Sequence, residues 1–114
     1  MITRIWRGWT TPTNAPVYQE LLLTEIFPGI EAKNVAGYRG ISLVRRELES
    51  EVEFMTIMWF DSLEAVKDFA GDHYEMAVVP PKARAVLSRF DFSSAHYETV
   101  VSAPHAVSAG SKGQ

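Results

Sequence analysis

Residues 54–60 read FMTIMWF, seven positions that are all apolar, aromatic or β-branched. Such a stretch predicts a strand. Successive strand side chains point to opposite faces, so Phe54, Thr56, Met58 and Phe60 share one face while Met55, Ile57 and Trp59 share the other. Neither face suits water. A strand of this kind has to be covered from both sides.

The surrounding pattern predicts what covers it. Ile2 to Trp9, ITRIWRGW, reads as a first strand, with Ile2, Arg4 and Trp6 on one face and Thr3, Ile5, Arg7 and Trp9 on the other. TTPTN breaks it, and Asn14 can cap a helix that tolerates Pro16 in its first turn. Tyr18, Leu21, Leu22 and Ile26 recur at helical spacing, with Gln19, Glu20 and Thr24 on the wetter side. FPG at 27–29 predicts the end of that helix. Tyr38 to Leu48 reads as a second strand, joined to 52–60 as a hairpin by the polar turn around Ser50 and Glu51. Asp61 is expected to cap the next helix, with Glu64 in the capping-box position. Leu63, Val66 and Phe69 form its expected buried stripe, and Gly71 its stop. PPKARAVLSRF predicts a short helix that admits Pro81 in its first turn, and SAHYETVV, 94–101, the last strand.

Strand, helix, strand, strand, helix, strand is the ferredoxin-like βαββαβ order, an α+β fold whose four-stranded antiparallel sheet carries its helices on one face. That leaves the second face of FMTIMWF bare. At about 25 cal/mol per Å², several large exposed apolar side chains forgo a few kcal/mol and invite aggregation. Two-fold pairing is the commonest oligomer symmetry, so a homodimer through the open sheet face is expected. The domain spans 1–101. From Ser102 the small, polar, aperiodic run SAPHAVSAGSKGQ reads as a flexible C-terminal tail, 102–114, and includes His105.

Composition narrows the function. A chain of 114 residues has the size of one domain. It holds no cysteine, which removes disulfides, thiolate nucleophiles and cysteine metal sites. The net charge of −3 and the lack of a Lys/Arg stripe point away from nucleic acid. RGISLV at 39–44 has a faint likeness to an RNA-binding sheet motif but lacks the stacking aromatics. No run is long and apolar enough for a membrane span, and MITRIWRG lacks the apolar stretch of a secretion signal, so a cytoplasmic location is expected. No Gly-rich phosphate loop, nucleophile elbow or metal-ligand spacing is visible; no metal and no cofactor are expected.

The candidate chemistry is sparse. His73 and Tyr74, in GDHYEM, stand just past a helix end, where a histidine titrating near neutrality can act as acid or base or simply be a surface-loop residue. Arg7 shares a face with Ile5 and Trp9; if that face meets the helices, its guanidinium needs an acceptor. That acceptor is either a ligand's carboxylate, phenolate or oxyanion, or an internal Asp or Glu. Trp6, Trp9, Trp59, Tyr38 and Phe69 can line a pocket for a flat aromatic substrate, or build core and interface. His96, in mid-strand, reads as structural.

IWRGWT, EIFPGI, GYRGISLVRRE, FMTIMWFDSLEAVKDFAG and AVVPPKARAVLSRFD…HYE, taken together over residues 1–101, resemble the antibiotic biosynthesis monooxygenase family. The resemblance implies a dimeric α/β barrel. Among that family some members oxidise anthrone-like or quinol substrates with dioxygen and neither metal nor flavin, some degrade haem, and many have no known activity. The haem-degrading pattern of Asn, Trp and His falls here near Arg7, Phe69 and Val79, which do not match it, while His73 lies close by. The implied function is therefore a cofactor-independent monooxygenase acting on a small aromatic or quinol-type substrate, with Arg7, His73 and Tyr74 as polar groups and Trp9, Tyr38, Trp59 and Phe69 around the substrate. The contrasting expectation is a non-enzymatic dimer that binds a small hydrophobic ligand.

Overall fold

A computed structural model describes residues 1–103. Its central strand is β1 (Ile2–Thr10), antiparallel to β3 (Val52–Phe60) with Arg4 opposite Met58, and β3 in turn pairs with β2 (Tyr38–Glu47). The other edge of β1 takes two short strands, β4 (Arg89–Phe90) near its C-terminal end and β5 (Ala95–Glu98) near its start. The order β2-β3-β1-β4 is the ferredoxin-like one. The last strand expected at 94–101 is shortened to β5, and β4 falls on Arg89 and Phe90, which were expected to end the last helix; that helix stops at Val86. Of the expected tail, Ser102 and Ala103 are exposed, and the remainder, His105 included, lies outside the described residues.

The break between β4 and β5 has a use. Ser94 N–H donates to the Glu75 carbonyl at 2.8 Å, and Ala77 N–H to the Phe92 carbonyl at 2.9 Å. These bonds lash the segment after α3 (Leu63–Ala70) to the sheet edge. With the antiparallel bridge between Met76 and Ser93 they give the outer edge of the segment between β4 and β5 its backbone partners.

FPG does not end the first helix. α1 (Ala15–Leu21) continues through a wider π turn (Leu22–Ile26) into α2 (Phe27–Ala32). Pro28 has no N–H to give the Thr24 carbonyl, and its ring crowds that carbonyl. The turn before it widens, with Phe27 N–H donating to the Leu22 carbonyl, and winding continues past the proline. The cap of α3 also shifts by one residue. Ser62, not Asp61, accepts from Ala65 N–H, at 3.2 Å, while Asp61 holds Arg39 in a bidentate ion pair. In the stripe expected for α3, Val66 is fully buried, Phe69 is half-buried and Leu63 is exposed; Ala65 takes the other buried position.

The helices lie on the face of Phe54, Met58 and Phe60. One part of the core gathers Tyr18, Leu22, Phe54, Val79 and Ala83 under α1 and α4 (Pro81–Val86); the other gathers Met58, Phe60, Ala65 and Val66 under α3. Tyr18 meets Phe54 edge-on, with ring centroids 4.9 Å apart, an arrangement that suits the ring quadrupoles. On the opposite face Ile5, Met55, Ile57 and Trp59 are only half-buried, and Val44 is exposed. At one end of that face Trp9 is covered by Arg89, 3.9 Å from its ring, and by Arg7 at 5.1 Å.

Candidate functional site

Between sheet and helices lies a cavity of about 130 Å³. Its wall is apolar for the most part, with Trp6 from β1, Leu22 and Phe27 from the long helix, Phe69 from α3 and Val79 from the loop before α4. The π turn contributes Leu22 and Ile26 to that wall. Arg4, Thr56 and Ser94 are polar residues in that wall.

Arg4 is the unusual member. It is 7% exposed, on the helix-facing side of the central strand, opposite Met58 and His96. Its Nη1 donates to the Tyr74 carbonyl at 2.8 Å and bonds His96 Nε2 at 2.9 Å. No carboxylate among the described residues forms an ion pair with it. Burial lowers its pKa, but a guanidinium stays charged in proteins. A buried cation without a counter-charge is costly, and it stands at the wall of the cavity.

The contact with His96 fixes a proton. Guanidinium nitrogen only donates, so His96 Nε2 must accept, and the ring is neutral with its hydrogen on Nδ1. Burial first, and the Arg4 charge second, lower the His96 pKa below 6.5. Protonation therefore favours the unfolded chain: the stability from the neutral ring is complete above about 6.5 and is lost as pH falls through the lowered value. Denaturant titrations from about pH 7 to about pH 5 should show a decline that His96→Gln, an acceptor that does not titrate, largely removes. A variant with the wild-type slope would mean that His96 is not the group responsible.

The expected site residues divide between the two faces. Arg7 is exposed on the open face, bonded through Nε to Asp91 at 2.9 Å; it takes the internal-partner alternative and lies away from the cavity. Trp9 and Trp59 are on that same open face. His73 is exposed. Tyr74 does approach, through its carbonyl to Arg4 and its ring edge-on to His96 at 5.0 Å. Tyr38 packs on Phe60, 5.8 Å between centroids, and its hydroxyl donates to Glu31 at 2.6 Å. Among the substrate-lining candidates Phe69 reaches the cavity, and Trp6 joins it. Arg4 was missed as a site residue. The available signal was its place on the strand face with Ile2 and Trp6, the face that pairs with Phe54, Met58 and Phe60.

Solved structures share this architecture, three of them as follows. One is a Bacillus cereus protein described as an antibiotic biosynthesis monooxygenase, 16% identical over 91% of this chain and 97% of its own, with a TM-score of 0.60. Another is MhuD of Mycobacterium tuberculosis, a haem degrader with two haems in its active site, 17% identical over 91% and 100%, TM-score 0.58. A third is SnoaB of Streptomyces nogalater, a cofactor-independent oxygenase, 19% identical over 91% and 97%, TM-score 0.54. The chain has the antibiotic biosynthesis monooxygenase fold. At these identities the likeness carries the fold alone. No protein-family model matches the sequence, and no curated protein sequence matches it. Within this monooxygenase fold no described helix is long and apolar enough to cross a membrane. Among the described residues no group of three or more His, Cys, Asp or Glu is arranged to hold a metal ion.

Proposed function

We propose that the chain is an oxygenase that needs neither metal nor flavin and acts on a small electron-rich hydroxyarene or quinol, as a homodimer paired through the open sheet face. The observation that carries this reading is the apolar cavity walled at one point by an unpaired buried cation. Cofactor-free oxygenation needs an electron-rich substrate, a dry pocket and a group that favours the substrate anion. The balance for a simple phenol closes without an added reductant. The hydroxyl proton leaves, a ring C–H carbon gives its electrons to dioxygen, and one oxygen stays on that carbon as a carbonyl. The other leaves as water with the two hydrogens, and the product is a quinone.

Haem fits these residues poorly. A cavity of about 150 Å³ holds a benzene, and this one, near 130 Å³ and open to solvent on one side, is filled by a single ring. No described histidine lines the cavity: His96 is engaged with Arg4 through Nε2, and His73 is exposed.

Oxygen uptake tests the reading. Single-ring hydroquinones should consume one dioxygen per hydroxyquinone formed, with water and no hydrogen peroxide as the other product, unaffected by chelators, and the three-ring dithranol should react more slowly. Uptake by none of them, from a protein that still binds such rings, would replace this reading with a second one, a dimeric module that holds a small hydrophobic ligand. One observation favours that second reading: no carboxylate or histidine lines the cavity, so no side-chain base is at hand among the described residues.

A further inference from the structure

We infer that Arg4 makes the cavity selective for single-ring aromatic anions, with the ring against Trp6 and Phe69 and its oxyanion on the guanidinium. This deepens the proposed function by naming the substrate class, and it rests on the same cavity.

Three observations carry it. A guanidinium has five N–H donors; the two on Nη1 go to the Tyr74 carbonyl and His96. Nε and Nη2 bond no protein acceptor among the described residues, and their edge is the one that pairs with an oxyanion in fork geometry. The two protein bonds also fix the group. A neutral histidine and a carbonyl orient the cation without neutralising it, where a carboxylate would have cancelled the charge available to a ligand. Finally, Arg4 is more than nine-tenths buried. In such surroundings a charge-assisted hydrogen bond is worth more than in water, and the volume leaves space for one ring.

The charged and titratable neighbours do not compete for that edge. His96 is on β5; Tyr74 and Glu75 belong to the loop after α3, Glu75 acting on His96. Lys33 stands over the Phe69 ring at 4.5 Å and Lys67 over the Tyr74 ring at 5.9 Å. Both lysines add positive potential beside these two rings.

The test uses p-nitrophenol, whose phenolate absorbs visible light, beside neutral p-nitrotoluene and p-nitrobenzoate. Bound to the wild-type protein, p-nitrophenol should ionise about one pH unit or more below its value in water, since an adjacent cation favours the charged form. Arg4→Met should abolish that spectral shift and weaken phenolate binding about tenfold to hundredfold, leaving p-nitrotoluene binding unchanged. Arg4→Lys, which keeps the charge but loses the fork, should fall between. Should Arg4→Met fail to fold, the wild-type series and Arg4→Lys still decide. Tighter binding of p-nitrobenzoate than of p-nitrophenolate would keep the anion site but make its head group a carboxylate. That outcome retains this inference while removing hydroxyarene oxidation. Equal binding of p-nitrotoluene and p-nitrophenolate, or a bound phenol that ionises above its value in water, overturns the inference even if quinols are oxidised.

Discussion

Phe60→Asp is expected to leave the chain unfolded, with far-UV circular dichroism of a coil and no cooperative denaturant transition. Phe60 is 0% exposed. It lies in the half of the core under α3, against Tyr38 at 5.8 Å and Phe69 at 5.4 Å between centroids. Truncating a buried Phe costs about 3–5 kcal/mol, and an unpaired carboxylate in its place adds several more. Domains have a net stability of about 5–15 kcal/mol, so the sum reaches the whole margin. Phe60→Leu should fold and lose only part of that. A folded Phe60→Asp with wild-type stability would mean that this side of the sheet is not the core.

Ile57→Asp should do something different from three residues away. Ile57 is on the open face between Ile5 and Ser42, half-buried in the single subunit. Light scattering of the wild type should give about twice 12.8 kDa, and of Ile57→Asp a single subunit with unchanged circular dichroism. In a two-fold pair the substitution enters the interface twice, so each association strips water from two carboxylates, a cost that burial of apolar neighbours does not offset. Met55 belongs with Ile57 on this face, and Met58, 5% exposed, belongs with Phe60 in the core. A monodisperse wild-type monomer at micromolar concentration would remove the need for pairing altogether.

The strands β1, β2 and β3 and the hairpin were legible because each depends on local pattern. FMTIMWF is Val52–Phe60 with its flanks, the second strand ends one residue earlier than expected, and α4 begins at Pro81 where the proline allowed it. The misplaced features depended on groups far apart in sequence or on backbone adjustment. Continuation past Pro28 required a π turn that propensity does not announce. The end of α4 at Val86 and the pairing of Arg89 and Phe90 with Trp9 and Gly8 depended on a partner strand about 80 residues away. The site was the least legible part. Its polar group, Arg4, has partners 70 and 92 residues away, and the strand face it shares with Ile2 and Trp6 is the one mark it carries in the sequence.

The sequence by itself determined that β1 and β3 have two distinct faces and which residues share each, because strand geometry alternates side chains with a period of two. It did not determine which face meets the helices. Both faces of β1 carry an Arg and a Trp, so local pattern is nearly symmetric between Arg4 with Trp6 and Arg7 with Trp9. Tertiary packing broke the symmetry. Phe54 and Phe60 needed the volume under α1 and α3, and pairing opposite them drew Ile2, Arg4, Trp6 and Gly8 inward. Gly8 marks the closeness of that approach, since a Cβ there would meet Leu87 Cδ2 at 2.9 Å. With that choice made, Arg7 turned outward to Asp91, and Arg4 was left buried beside a cavity that its protein partners orient but do not neutralise.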